Sequence, residues 1–218
     1  MIRAFLAIEV PPELRAALSV VQQDLRRRFE RTVDRRAHLS WVQPASMHLT
    51  VKFLGDTPED LIESLQVPLT QAVAGHRMIE VPFSRLGTFP RSQQPRVLWA
   101  GPPESWEQGN EGERLQALSR TVEDVCLAGG LAADVRPFSP HLTLARIKEG
   151  ERQVGQVLAE SGVLNQSLTC GLLEIKAVVM MKSQLRPTGS VYTRLWEARL
   201  KRGGERERTL FPGTDQRM

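Results

Sequence analysis

The residues best suited to chemistry in this chain are two histidines, each followed two positions later by a threonine. His48 and Thr50 form one pair, and His141 and Thr143 form the other, with a leucine between the partners in both copies. Residues i and i+2 of a strand point to the same face, so each copy should present an imidazole beside a hydroxyl. We predict that the two strands face each other across a cleft and hold a phosphodiester between the imidazoles.

Histidine is the side chain whose ordinary pKa, about 6.5, lets it either accept or donate a proton at neutral pH. Hydrolysis of a phosphodiester needs a base that activates water and an acid that protonates the departing oxygen, and each transfer is worth about 10²–10⁴ in rate. The two threonine hydroxyls could donate hydrogen bonds to the non-bridging oxygens. This scheme needs no metal and no cofactor.

Two structural alternatives compete with this interpretation. A single histidine and threonine in a half-buried strand is more often structural than functional, but two copies in similar halves of the chain favour function. The two histidines could instead ligate a metal ion. The sequence offers no third histidine, cysteine or carboxylate at ligand spacing near either copy, which weakens the metal alternative.

The composition is that of an ordinary globular protein. The chain has 218 residues, a hydrophobic content of 41% and a formal net charge of +4, which suits an anionic ligand without proving one. Cys126 and Cys170 lack metal-like spacing and are expected to be buried, reduced thiols. No apolar run approaches the roughly 18 to 20 residues of a membrane span, and the apolar start is too short for a signal peptide. We therefore expect a cytoplasmic monomer.

The hydrophobic pattern predicts two similar halves built from strands and helices. Strands are expected at 2–9, 47–55, 78–86, 95–101, 140–146, 172–181 and 191–200, and helices at 11–29, 58–74, 115–128 and 151–160. This order predicts an α+β fold with two lobes, in which two antiparallel β-sheets face a central groove and the helices lie outside. Residues 1–200 should form this one domain, and residues 201–218 a flexible tail.

Several finer expectations concern the connections between these elements. Residues 31–40, which include His38, should form a loop, as should 87–94 and 104–113. Thr57 is expected to cap the helix that follows it, and Pro68 to split or kink that helix. On the strand face opposite to His48, the side chains of Leu49, Val51 and Phe53 should enter the core.

The chain resembles the 2H phosphoesterases, a family named for two histidine motifs, and within it the RNA 2′,3′-cyclic phosphodiesterases, also described as 2′-5′ RNA ligases. The resemblance covers most of the chain. It rests on residues 3–8, 48–55, 95–99, 140–146 and 183–185, together with Gly189 and Tyr192. It implies a metal-free enzyme with a bilobal, pseudo-twofold fold that opens a terminal 2′,3′-cyclic phosphate to a 2′-phosphate.

The resemblance also implies roles for individual residues. His48 and His141 would be the acid–base pair, and Thr50 and Thr143 would bind the phosphate. Arg146 matches an arginine that contacts the phosphate or the RNA end. By strand parity it points away from His141, so it reaches the groove only if the strand ends or bulges there. We assign the leaving 3′ oxygen to His48 as acid and the water to His141 as base.

Further residues are candidates for RNA binding. Lys52 shares the parity of His48 and should line the groove. Phe5, and Trp99 or Phe138, could stack on a terminal base, although packing in the core is the alternative for each. Arg91 and Arg96 could contact the RNA backbone or simply lie on the surface.

Three functions remain open on the sequence alone. The first is a phosphodiesterase acting on RNA ends, with ligation as its reverse. The second is the same chemistry on a small cyclic phosphate, such as an ADP-ribose cyclic phosphate, or on a short oligonucleotide. The third is a non-catalytic RNA-binding module, which predicts salt-sensitive binding without hydrolysis.

Overall fold

The computed structural model of the chain describes residues 1–32, 37–186 and 189–202. The strands are β1 (Ile2–Glu9), β2 (His38–Trp41), β3 (His48–Thr57), β4 (Ile79–Phe83), β5 (Arg85–Phe89), β6 (Val97–Gly101), β7 (Leu142–Glu149), β8 (Gly171–Ile175), β9 (Ala177–Arg186) and β10 (Gly189–Arg199). The helices are α1 (Pro12–Thr32), α2 (Glu59–Ser64), α3 (Gln66–Val73), α4 (Glu104–Glu107), α5 (Asn110–Ala128) and α6 (Glu151–Ser161). None of these helices is long and apolar enough to span a membrane.

The strands form a large and a small antiparallel sheet. The large sheet has the order β10-β9-β1-β3-β7-β6-β5, with β2 also paired to β7, and the small sheet pairs β4 with β8. Strands β3 and β7 meet through the register pair Leu49–Leu142. We call β10, β9, β1 and β3 the first half, and β7, β6, β5 and β2 the second half. The predicted α+β class with antiparallel sheets is confirmed, and the two halves are joined at this pair.

The large sheet has one face against the helices and one face open. In β1, Ala4, Leu6 and Ile8 belong to the main core, which also contains the buried faces of α1, α3, α5 and α6. The residues between them, Phe5 and Ala7, point to the other side and pack in a small cluster with Val179 and Met181 of β9. This alternation follows from the pleat of a strand. We call the side of the sheet opposite the helices the open face.

A bulge in β3 reverses the strand parity after Thr50. The pairing with β1 shifts by one residue at Val51, so that Val51 and Lys52 are both buried, Lys52 to 2% exposure. Phe53 then emerges on the open face with 58% of its surface exposed. An extra residue in one strand turns the side chains that follow it to the opposite face, and in β3 this holds for Lys52 and Phe53, up to a second shift at Leu54. The predictions that Phe53 enters the core and that Lys52 shares the face of His48 are therefore wrong.

A bulge in β7 has the same effect in the second half. The pairing with β6 shifts at Leu144, and both Leu144 and Ala145 are fully buried. Arg146 is consequently exposed and lies on the same face as Thr143. The strand bulges at the place that the sequence analysis required if Arg146 was to reach the site.

Three predicted loops contain regular structure. Helix α1 continues to Thr32, and His38 begins strand β2, where it pairs with Glu149. Strand β5 extends to Phe89, and residues 104–113 hold α4 and the start of α5. These short elements are stabilised by hydrogen bonds from neighbouring strands and by packing on α5, which local sequence patterns do not reveal.

Other boundaries also differ from the predictions. Thr57 ends β3 and is buried, and its hydroxyl donates to the carbonyl of Leu54 at 3.1 Å instead of capping a helix. The helix containing Pro68 is divided into α2 and α3, as expected. The run 172–181 forms two strands, β8 and β9, in different sheets. Of the predicted tail, residues 203–218 lie outside the described part of the chain, and the Lys201 N–H donates to the His76 carbonyl at 2.8 Å.

Candidate active site

The two His–Leu–Thr copies meet where the halves of the large sheet join. Leu49 and Leu142 are directly opposite each other in the antiparallel pair and are both fully buried. Because adjacent residues in a strand point to opposite faces, the residues flanking these leucines lie on the open face, and we call them the His–Thr quartet: His48, Thr50, His141 and Thr143. The antiparallel direction sets each histidine beside the threonine of the other copy. The two copies therefore lie side by side in one sheet. The prediction that they face each other across a cleft is wrong.

Each imidazole is fixed by a backbone carbonyl two residues earlier. The Nδ1 atom of His48 lies 2.8 Å from the oxygen of Ser46, and the Nδ1 atom of His141 lies 2.8 Å from the oxygen of Ser139. A carbonyl oxygen only accepts, so Nδ1 carries the hydrogen and Nε2 is left to exchange protons. These hydrogen bonds from Nδ1 were not predicted, although a serine stands two positions before the histidine in both copies.

Aromatic rings hold both imidazoles edge-on. The ring of Tyr192 lies 4.9 Å from that of His48 with an interplanar angle of 85°. The ring of Phe89 lies at the same distance and angle from His141. These rings restrict rotation about the imidazole side chains and cover them from water. The sequence analysis had proposed no role for Phe89, since its approach to His141 depends on the order of strands β5, β6 and β7.

Burial lowers the pKa of both histidines below the ordinary value. For His48 the burial is reinforced by the nearby positive charges of Arg146 and His141, and opposed by the carbonyl of Ser46. For His141 the burial is reinforced by Arg146 and opposed by the carbonyl of Ser139. Both imidazoles should therefore be neutral at neutral pH in the free protein. A bound phosphate would favour the protonated form of either ring, because opposite charges attract.

The bulge that presents Arg146 is held by α1 and by the segment before β3. The carbonyl of Leu144 accepts hydrogen bonds from the side-chain amide of Gln22 at 2.8 Å and from the N–H of Val42 at 2.9 Å. Gln22 also donates to the Val42 carbonyl at 2.8 Å. The carbonyl at the bulge thus accepts two hydrogen bonds, which hold the backbone that places Arg146.

Two of the predicted RNA contacts are contradicted by burial. Phe5 is only 3% exposed, and its ring packs 4.7 Å from His48 and 5.0 Å from Tyr192, so little of its surface is left for stacking on a base. The ammonium of Lys52 lies inside the protein, 2.6 Å from a carboxylate oxygen of Glu123, and donates to the Ala132 carbonyl at 3.0 Å. Lys52 thus ties β3 to α5 and to the segment that leads to His141.

The remaining candidates lie outside the His–Thr quartet. Arg91 is exposed and donates to the side chain of Gln94 at 2.8 Å, and Arg96 is exposed and 3.8 Å from Glu151. Their contact with RNA stays a prediction. Trp99 is largely buried, and Phe138 is partly buried against the core. In the described ranges, no three histidine, cysteine or acidic side chains are grouped closely enough to hold a metal ion.

A cavity of about 180 Å³ opens beside His48. It is lined by residues of β1, β3, β9, β10, the start of α1 and the turn that precedes β3. Glu9, Arg15 and Arg194 are its charged members. The site thus combines two imidazoles, two hydroxyls and a guanidinium on one face with an adjacent recess, an arrangement suited to proton transfer at a bound phosphate.

Comparison with known proteins assigns this chain to a family. The model of the 2′-5′ RNA ligase superfamily matches residues 10–184. The chain belongs to this superfamily. The family to which the two histidine motifs pointed is thereby confirmed.

Similar proteins in the superfamily match the chain over most of its length. A Thermus thermophilus protein named RNA 2′,3′-cyclic phosphodiesterase is 33% identical over 221 residues, covering 97% of this chain and 96% of that protein. One of the same name from Methanothermobacter thermautotrophicus is 28% identical over 192 residues, covering 88% and 95%. A crystal structure of a Thermus thermophilus protein matches with a TM-score of 0.66 at 27% identity, covering 93% and 100%. The apo form of Escherichia coli LigT shares the fold, with a TM-score of 0.66 at 20% identity, covering 92% and 98%.

Proposed function

We propose that this protein hydrolyses the terminal 2′,3′-cyclic phosphate of RNA to a 2′-phosphate without a metal ion. The observation that carries the proposal is the His–Thr quartet, in which two imidazoles with pinned Nδ1 atoms share one face of the sheet. The names of the relatives support the substrate class.

The reaction breaks the bond between phosphorus and the 3′ oxygen. His141, neutral at Nε2, accepts a proton from water as the water oxygen bonds to phosphorus. His48, protonated at Nε2, gives its proton to the departing 3′ oxygen, so the two histidines exchange their protonation states in one turnover. Thr50, Thr143 and Arg146 donate hydrogen bonds to the non-bridging oxygens, whose negative charge grows in the transition state.

The burial of the histidines supports this assignment of protons. In the free protein both pKa values are lowered, and Arg146 contributes to each. When the phosphate anion binds, it offsets the positive charge of Arg146 and favours protonation of one imidazole. Binding of the substrate would therefore raise the pKa of the imidazole that serves as the acid.

Ligation is a second candidate, favoured by the description of the superfamily. A 5′-hydroxyl would take the place of water, give its proton to His141 and bond to phosphorus, while the departing 3′ oxygen takes the proton of His48. An assay that supplies a 5′-hydroxyl oligonucleotide would reveal a 2′-5′ linked product.

The test is to incubate the protein with an oligonucleotide that ends in a 2′,3′-cyclic phosphate, in excess EDTA, and to identify the product by ³¹P NMR. The proposal predicts turnover with a 2′-phosphate as the sole product. A cyclic mononucleotide and an ADP-ribose cyclic phosphate serve as comparison substrates. Binding of RNA without turnover, a 3′-phosphate product, or loss of activity in EDTA would each contradict it.

A further inference from the structure

The cavity beside His48 belongs to the first half alone and is built from both apolar and charged groups. Its apolar lining is Phe5, Val10, Met47 and Met181. In the register of β1 and β3, Glu9 is paired with His48, so the charged groups begin directly beside the imidazole. Such a recess, apolar with a few convergent polar groups, is typical of a small-ligand site.

The charged edge of the cavity presents an acceptor next to a donor. A carboxylate oxygen of Glu9 lies 3.4 Å from a guanidinium nitrogen of Arg194, and both side chains are about half exposed. The Glu9–Arg194 contact is long for a charge-assisted hydrogen bond, so a ligand that offers shorter hydrogen bonds can replace it. Arg194 also pairs with Glu197, and Arg15 donates to the Val10 carbonyl at 2.7 Å, which fixes these arginines at the rim.

Building on the proposed function, we propose that this cavity takes the base of the terminal nucleotide and selects guanine. Glu9 accepts hydrogen bonds from the N1–H and the 2-amino group, and Arg194 donates to O6 and N7. Guanine is the RNA base that carries two adjacent donors, N1–H and the 2-amino group, beside the O6 acceptor, with N7 on the neighbouring edge. Adenine lacks a donor at N1, and uracil and cytosine each offer a single donor group to the carboxylate.

This placement also bears on the roles of the histidines. The 3′ oxygen that leaves phosphorus remains attached to the ribose, so it lies on the side of the nucleoside. A base in the cavity sets the ribose beside His48, which then protonates the 3′ oxygen. Water is left to approach phosphorus from the side of His141.

The experiment compares kcat/KM for the 2′,3′-cyclic phosphates of guanosine, adenosine, cytidine and uridine. The wild-type protein should favour guanosine by roughly tenfold, the size expected of one bidentate base contact. In Glu9→Gln the advantage of guanosine should fall below threefold, and Arg194→Gln should reduce it as well. Glu13→Gln, an exposed glutamate in the first turn of α1, is the matched control and should keep the wild-type preference.

Equal kcat/KM values for the four substrates, or a preference that survives Glu9→Gln, would overturn this proposal while leaving the phosphodiesterase proposal intact. If none of the four mononucleotides turns over, the oligonucleotide assay still decides the phosphodiesterase proposal, and the cavity is tested separately by calorimetric titration with the four nucleoside 2′-monophosphates. Tighter binding of the guanosine compound, lost in Glu9→Gln, would still support the base site. Thermal unfolding of each variant shows whether it is folded.

Discussion

The two halves of the large sheet bring the same arrangement to their junction and then differ in what surrounds it. In each half an imidazole is pinned by a carbonyl at 2.8 Å, faces an aromatic ring at 4.9 Å, and is followed by a bulge. The residue that emerges after the bulge is Phe53 in the first half and Arg146 in the second.

The proposed mechanism accounts for this difference. It needs two proton transfers, one at the water and one at the leaving oxygen, which matches the imidazole and its supports in each half. It needs the charge of one anion to be neutralised once, which matches the guanidinium of Arg146 after the bulge in the second half. The first half instead contains the cavity beside His48.

Both halves hold an imidazole on the open face, and this shared feature is tested by removing each histidine in turn. We expect His48→Ala and His141→Ala each to lower kcat by more than a hundredfold, within the range of about 10²–10⁴ for general acid–base catalysis. Steady-state kinetics on the cyclic-phosphate oligonucleotide measure this loss. His38→Ala, in the exposed strand β2, is the control and should retain activity, whereas a loss below tenfold in either site variant removes the acid–base role.

The difference between the halves is tested at the residue after each bulge. Arg146→Gln should lower kcat/KM by roughly 10- to 100-fold, because a charged hydrogen-bond donor to the phosphate is lost. Phe53→Leu should stay within about threefold of the wild type. Losses of similar size in the two variants would contradict the proposal that Arg146, and not Phe53, contacts the phosphate.

Arg146→Gln should also change the pH dependence. Arg146 contributes to the lowered pKa of both histidines, so its removal raises both values, and the optimum of kcat/KM should move to higher pH. An unchanged or lower optimum would show that Arg146 does not act on the imidazoles.

A smaller effect is expected at the threonines, which the two halves share. Thr50→Val and Thr143→Val each remove one neutral hydrogen bond to the phosphate, and we expect a loss of roughly tenfold in kcat/KM. Valine keeps the shape and the β-strand preference of threonine, so folding should be preserved. If either variant has wild-type kinetics, its hydroxyl does not contact the phosphate.

The last effect concerns stability and not turnover, and it is expected at Lys52 in the first half. The ammonium is buried between Glu123 and the carbonyl of Ala132, and Lys52→Met should lower the free energy of unfolding by about 1–3 kcal/mol, since buried hydrogen-bond partners are left unpaired. Urea unfolding measures this change. Lys148→Met on β7, where the lysine is exposed, should leave stability nearly unchanged, and equal effects would contradict a structural role for Lys52.

The sequence carried enough information to find the His–Thr pairs, because the rule that residues i and i+2 share a face depends only on local strand geometry. The same rule gave the wrong orientation beyond Thr50, because the bulge at Val51 turns the side chain of Lys52 into the core and that of Phe53 onto the open face. Bulges arise from pairing with neighbouring strands, which a single sequence does not display. The same limit left the position of Arg146 open until the bulge at Leu144 was seen.

The groups that hold the two imidazoles in place could be predicted from the sequence only in part. The serine two positions before each histidine is a repeated signal that could have been read from the sequence. The rings of Tyr192 and Phe89 could not, because each reaches its histidine from a strand that is distant along the chain. Strand β2 was missed for a similar reason, since its hydrogen bonds come from β7.

The pH dependence of kcat/KM in the wild type and in the two histidine variants tests directly whether His48 is the acid and His141 the base. The account predicts a bell-shaped wild-type profile with an optimum below the ordinary imidazole pKa of about 6.5, because burial lowers both pKa values. The residual activity of His48→Ala should lose the fall at high pH, and that of His141→Ala the fall at low pH. Variants that keep both limbs of the profile would show that these imidazoles are not the acid and the base.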